Sequence, residues 1–280
     1  MPLLAIERRK RIMQHLYKDG RVLVAELSKQ FRVTEETVRR DLGRMEKEGL
    51  LLRTHGGAFL AETSVSSEVP VWVREDCYLS EKKWIGTKCA KLIRNGDTIM
   101  LDSSTTSLHI AKIIKTHKQL TVITNSLNVL MELADAEDIR LISTGGTLRR
   151  RSLSYSGHAA AKSLSRYTAD KAFLSCSGID LKHGVTDANE DEAEMRKIML
   201  QHAKQTILVA DITKCEKIGL IKIADLSSFQ MLVTNCPLPA QWKEELSTQS
   251  IAIDDECDPN KQYAAACRSK KEDKKPLPLS

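Results

Sequence analysis

The sequence predicts an α/β chain in two parts, a small helical head followed by a larger domain built on a largely parallel sheet. Three observations carry that prediction. The 280 residues are enough for two ordinary domains. Positive charge gathers at one end: the net charge is +6, and the first sixty residues hold 13 Lys/Arg against 8 Asp/Glu. Beyond residue 70, short apolar runs alternate with stretches of helical period, whereas the head shows helical periods and one short hairpin pattern.

Composition removes several classes. Hydrophobic content of 41% and charged content of 29% suit a soluble globular protein. No apolar run approaches the roughly 18 residues that a membrane span needs. The start, MPLLAIERRKR, turns charged by Glu7 without an apolar core, so no secretory signal is expected and a cytoplasmic location is. Seven scattered cysteines, never spaced CxxC, point to reduced thiols rather than a disulfide framework or zinc site. His109, His117, His158 and His183 show no ligand spacing, so neither a metal nor another cofactor is expected. A basic head on a less basic body suggests that the head meets a polyanion.

Within the head, Ile12 and Leu16, with Met13 and Tyr17, mark a first helix that stops at Asp19-Gly20. A second helix is predicted from about Val24 to Phe31. Val33 fills the turn, Thr34 sits where an N-cap belongs, and Glu35 and Glu36 suit the positive end of a helix dipole. The third helix runs to about Glu48 on a buried stripe of Val38, Leu42 and Met45. Its other faces carry Thr37, Arg39, Arg40 and Arg44. Gly49 ends it, and LLLRTHGGAF reads as a hairpin with Arg53 and His55 near its tip. This is a winged helix-turn-helix layout, in which the third helix enters the major groove and the wing follows the backbone. Short hydroxyls at the helix start reach base edges, and arginines reach guanine or phosphate. A small helical protein-interaction module is the plainer alternative.

The run TVRRDL, followed by the wing sequence RTHGGA, resembles the DNA-binding domain of DeoR-type bacterial transcriptional regulators. The likeness is close over residues 6 to 58, and it implies that the helix starting at Thr34 reads operator DNA.

ETSVSSEVP reads as a linker over residues 61–70, and the body over 71–256. Predicted strands are Thr98 to Leu101, Leu120 to Thr124, Arg140 to Ser143, Lys171 to Cys176, Gln205 to Ala210 and Gln230 to Thr234. Helical patterns lie between them, as at Lys82 to Arg94, Leu127 to Leu133 and Asn189 to His202. Small polar or charged residues follow five of the strands: Asp102-Ser103-Ser104-Thr105-Thr106, Asn125-Ser126, Thr144-Gly145-Gly146, Ser177-Gly178 and Asp211 to Lys214. Ligands of open α/β sheets bind beyond the carboxyl ends of the strands, and hydroxyls with free N–H groups at a helix start suit an anion. The plainer account of DSSTTS is a helix cap. The carboxylates Asp187, Glu190, Asp191, Glu192 and Glu194 read as a solvated helix start, and residues 257–280, ending SKKEDKKPLPLS, as a disordered tail.

The blocks LDSSTTSLHIA, VITNS, TGGTLRR, KAFLSCSGID, HGVTDANEDEAEMRK and LVADITK resemble, in order, the effector domain of the DeoR family. That domain is similar in fold to ribose-5-phosphate isomerase and the coenzyme A transferases. The resemblance implies a phosphorylated sugar or related metabolite as ligand. The 102–106 turn would cradle the phosphate, Asn125, Gly145, Gly146 and Arg149 would line the crevice, and Lys171, Asp211 and Lys214 would meet the sugar. The family usually has Gly where this chain has Ser104, whose side chain either obstructs backbone approach or adds a hydroxyl. The expected function is a repressor of a carbohydrate operon, bound to double-stranded operator DNA as a dimer or tetramer and not an enzyme. The competing function is a sugar-phosphate isomerase-like enzyme with a DNA-binding appendage. An RNA-binding module is disfavoured by aromatics of only 4%.

Overall fold

The computed structural model describes residues 3–60 and 69–259. In the head, helix α1 (Ala5–Asp19) closes at Gly20, whose φ of 76° lets its N–H reach the Leu16 carbonyl. Strand β1 (Arg21–Leu23) follows, then α2 (Val24–Phe31), α3 (Glu35–Lys47) and the wing strands β2 (Leu51–Arg53) and β3 (Gly57–Leu60). Strand β3 pairs antiparallel with both β2 and β1. The stripe residues Ile12, Leu16, Val38, Leu42 and Met45 are all buried in one core. Gly57 of the wing is needed for space: a Cβ there would lie 2.0 Å from the Val22 carbonyl oxygen.

Helix α4 (Val71–Asp76) starts after Pro70, and Val73 and Cys77 complete the core of the head rather than that of the body. Most of the segment read as a linker (61–68) and of the segment read as a tail (260–280) lies outside the described residues.

The body runs α5 (Leu79–Lys91), β4 (Thr98–Leu101), α6 (Thr105–Ile114), β5 (Leu120–Thr124), α7 (Leu127–Leu133) and β6 (Ile139–Ser143). A hairpin of β7 (Thr147–Arg149) and β8 (Ser154–Ser156) follows, then α8 (His158–Leu164) and β9 (Ala169–Leu174). The last third holds β10 (Gly178–Asp180), β11 (Gly184–Asp187), α9 (Glu190–Gln201), β12 (Ala203–Val209), β13 (Ile221–Ala224), β14 (Met231–Val233), α10 (Ala240–Thr248) and β15 (Ala252–Asp254). Seven strands form one sheet in the order β15-β14-β12-β9-β4-β5-β6, with every pairing parallel.

Both faces of this sheet are covered, which is why its strands read as unbroken apolar runs. On β4, Ile99 and Leu101 join one core while Met100 joins the other. The chain builds outward from β4 through β5 and β6, then returns to the other flank of β4 with β9. The boundary between β4 and β9 is therefore the topological switch point, where a crevice opens at the carboxyl ends. All six predicted strands are present in this sheet, with boundaries shifted by up to two residues. The short strands β10, β11 and β13, which form a separate antiparallel sheet, have no counterpart in the sequence reading. Among the described residues no helix is long and apolar enough to cross a membrane.

Candidate DNA interface and effector crevice

On the head, Thr34 caps α3 by accepting from the Thr37 N–H (3.3 Å), and the two hydroxyls are bonded to each other (2.9 Å). Arg39 pairs with Glu35 (2.7 Å) and Arg44 with Glu48 (3.3 Å), each one turn away on the exposed face. Arg40 is exposed with no ion pair among the described residues. Arg53 leaves the wing toward Glu46 of α3 (3.9 Å), and His55 lies exposed in the turn between β2 and β3. Thr34, Arg39, Arg40, Arg44, Arg53 and His55 are thus exposed, with Thr37 partly so. The sequence reading missed what aims this helix. Asp41, buried on its inner face, accepts from Arg8 of α1 at 2.6 Å.

At the switch point, Asp102 follows β4 and is almost wholly buried. Its Oδ1 accepts from the Ser104 N–H (3.0 Å) and the Ser107 hydroxyl (2.6 Å). Its Oδ2 accepts from the Ser175 N–H (2.8 Å), just beyond β9, and from Arg196 Nε (2.8 Å). One carboxylate therefore laces both sides of the crevice together. Burial alone would raise its pKa, but the Arg196 guanidinium and these hydrogen bonds outweigh it and hold the carboxyl below the usual range.

Ser104 resolves the departure from glycine. Its φ of −74° is ordinary for any residue, and its hydroxyl turns inward to cap α6, accepting from the Ser107 N–H at 3.0 Å. The side chain neither blocks the turn nor stays free for a ligand. Ser103 is also committed, donating to Glu192. What remains open is backbone: the N–H groups of Thr105 and Thr106, the first two of α6, meet no acceptor among the described residues.

Arg196 of α9 is the centre of a buried charge cluster. Its Nη1 donates to Asp187 (2.6 Å) and stands 3.7 Å from Glu192. Glu192 also accepts from Ser154 and from Arg149 Nη1 (2.8 Å). Burial would raise the Glu192 pKa, yet Arg196 and the serine hydroxyls bring it down to about 2. These findings correct the reading of the carboxylate run. Glu190, Asp191 and Glu194 are exposed, but Asp187 and Glu192 are buried partners of arginine.

Around this centre the other expected residues divide. Asn125 follows β5; its Nδ2 donates to the Tyr155 carbonyl (3.1 Å), while its buried Oδ1 has no partner among the described residues. Gly145 and Gly146 have φ of 60° and 104°, and a Cβ on Gly146 would press against the Ser156 carbonyl (2.7 Å) and Ala160 (2.8 Å), so it is packing that requires this glycine. Arg149 enters the charge cluster. Asp211, after β12, caps the short turn Ile212–Lys214 by accepting from the Thr213 N–H (3.0 Å). Lys171 is the exception and is corrected here. It lies toward the amino end of β9, bonded to Asp97 before β4 (2.6 Å), on the side of the sheet away from the crevice.

A residue the sequence reading left out stands near Asp211 and Lys214. Lys82 of α5 is buried, and that burial, opposed by Asp211 and reinforced by Lys214, lowers its pKa to about 8. Its Nζ donates to the carbonyls of Arg74 and Cys77 (2.6 Å for the latter). Only its helical spacing was visible in the sequence; the partners are backbone atoms.

Two family models match this chain. Residues 8–64 match the DeoR-like helix-turn-helix domain, and residues 78–236 match the DeoR C terminal sensor domain. An uncharacterised HTH-type transcriptional regulator, YulB of Bacillus subtilis, is 43% identical over 90% of this chain and 96% of its own length. A putative aga operon transcriptional repressor of Escherichia coli O157:H7 is 35% identical over 88% and 92%. The glycerol-3-phosphate regulon repressor of Escherichia coli K12 is 30% identical over 89% and 98%. A solved ribose 5-phosphate isomerase from Methanocaldococcus jannaschii aligns over 48% of this chain and 53% of its own at 16% identity and a TM-score of 0.36, a level that says nothing about activity. Both family models and relatives spanning nine-tenths of the chain agree: the protein belongs to the DeoR family of helix-turn-helix transcriptional regulators.

Proposed function

We propose that the protein represses a carbohydrate-metabolism operon by binding double-stranded operator DNA, and that a phosphorylated sugar or related metabolite in the body controls that affinity. The observation that carries this reading is the pair of unpartnered N–H groups at the start of α6, at the switch point of the sheet. The charge cluster refines where an anion sits. Three buried carboxylates, Asp102, Asp187 and Glu192, face two guanidinium groups, so the Ser103 side of the turn repels phosphate. Thr105 and Thr106 remain, with Lys82 and Lys214 supplying positive charge on the β12 side of the crevice. Asn125 and Asp211 offer acceptors to sugar hydroxyls. The names of the aga and glycerol-3-phosphate repressors support this class of regulon. Action as a homo-oligomer in the cytoplasm completes the reading, since dimers read two half-sites.

The enzyme alternative needs an acid–base pair, and the crevice carboxylates are poorly suited. Arg196 keeps Glu192 ionised down to about pH 2, far from a proton-transferring range near neutrality. Gel-shift titration on an operator selected from genomic fragments tests the proposal, with phosphosugars and their unphosphorylated parents added in turn. Release of DNA by a phosphosugar but not by its parent is expected. Turnover of a phosphosugar, with DNA binding unaffected by any of them, would establish the alternative.

A further inference from the structure

Residues 65–77 lie between the two matched domains, yet α4 is tied to the crevice at both ends. At its start, the Val71 N–H donates to the Arg151 carbonyl (2.8 Å), two residues from Arg149 and one from Ser152 of the charge cluster. At its end, the carbonyls of Arg74 and Cys77 both accept from the buried Lys82 ammonium. The next residue, Tyr78, has a φ of 53°, a left-handed conformation unusual for a tyrosine. Burial first, then the Asp211 carboxylate, raise the pKa of its phenol, which stands beside Thr213 in the turn that Asp211 caps.

The flank of α4 meets the head. Val73 and Cys77 are buried in the core with Ile12, Leu16, Val38 and Leu42, and Trp72 packs against the same cluster. The guanidinium of Arg9 on α1 lies 5.8 Å from the centroid of the Trp72 ring. Arg8, one residue before it, holds Asp41 of α3. The chain of contact thus runs from the 211–214 turn through Tyr78 and Lys82 to α4, then through Trp72 and Arg9 to α1, and from α1 to α3.

We infer that α4 is the transmission element between the crevice and the DNA-reading head, and that Lys82 and Tyr78 are positioning residues that set its stance. The inference rests on the crevice being the effector site. Physically, a ligand that draws the Lys82 ammonium or the 211–214 turn toward itself weakens the hold on the last carbonyls of α4. The helix and the head packed on it then redistribute between two arrangements, as a ligand with different affinity for each requires.

The test uses the full-length protein and hydrogen–deuterium exchange of α1 and α4, with operator affinity measured in parallel. Tyr78→Phe removes a single hydroxyl, and Lys82→Met removes the ammonium while keeping the stem. Lys82 bonds to no group of the third helix among the described residues, and Tyr78→Phe keeps the ring that packs against the head core, so a purely local role would leave operator affinity unmoved. The expected result is several-fold faster exchange in α4 and α1 for both variants, with a changed operator affinity. If Lys82→Met fails to fold, Tyr78→Phe alone decides. In a second arm Trp72→Ala is expected to bind a phosphosugar such as glycerol-3-phosphate or glucose-6-phosphate as the wild type does, while losing the effect of that probe on DNA affinity. Wild-type exchange in α1 and α4 together with wild-type operator affinity in a folded Tyr78→Phe variant would overturn the inference. Should no phosphosugar bind the wild type, the effector reading fails instead, and the ligand-free arm still decides the coupling.

Discussion

Arg196 sets the character of the body at the level of single residues. It is buried with three carboxylates, and burial, which disfavours its charge, is outweighed by Asp187, Asp102 and Glu192, so its pKa is raised. Arg196→Ala leaves uncompensated negative charge in the core and is expected to cost about 3–5 kcal/mol of stability, read by urea unfolding. A loss below about 1 kcal/mol, the scale of an exposed pair, would show that the cluster is solvated. Acid should act on the same residues. The Glu192 carboxyl titrates near 4.5 when unfolded and near 2 when folded, so its contribution is present above pH 4.5 and lost as pH falls toward 2. His109 adds an earlier loss. Burial first, then Lys112, Lys82 and Lys83, lower its pKa from 6.5 to about 4, so the unfolded chain gains protons first as pH drops from 6.5 to 4. Stability measured across that window should therefore decline below pH 6.5, and His109→Gln should flatten the upper part of the decline.

Among the elements, α3 and the wing are the proposed contact with DNA. Arg40 is exposed on α3 and unpaired among the described residues, so it is free to reach a base edge or phosphate. Arg40→Ala is expected to weaken operator binding by about 1–3 kcal/mol if the contact is bidentate, and gel shift measures it directly. Arg39 must first leave Glu35, so its replacement should cost less. Gly57→Ala is expected to disorder the wing, because the added Cβ would overlap the Val22 carbonyl. The elements that were legible in the sequence are those with a repeated pattern. The stripe Val38, Leu42, Met45 declared α3, and the run Thr98 to Leu101 declared β4. Strands β10, β11 and β13 mix glycine, aspartate or lysine with their apolar residues, so no apolar run marks them. Helix α4 has six residues and no side-chain cap, so nothing marked it. Lys171 was misplaced because a lysine within a strand run does not say which end of the sheet it serves. Glu192 was misread because an acidic helix start looks the same whether a buried arginine awaits it or water does.

At the scale of the whole molecule, a helix-turn-helix head is joined to a body whose crevice, at the switch point of the sheet, is the proposed anion site. Light scattering on the full-length protein at micromolar concentration is expected to give a dimer or larger, and a monomer would remove the paired half-site geometry. The central claim is that a phosphosugar held at Thr105 and Thr106 alters operator affinity. Operator titration by fluorescence anisotropy, in the presence and absence of the phosphosugar that wild type recognises best, tests it most directly when repeated on Thr105→Val and Thr106→Val. Each substitution keeps the shape and removes a donor, so effector affinity should fall by about 1–3 kcal/mol while DNA affinity without effector stays as in wild type. An unphosphorylated parent acting as strongly as its phosphosugar would contradict the claim and leave the 102–106 turn as a helix cap alone.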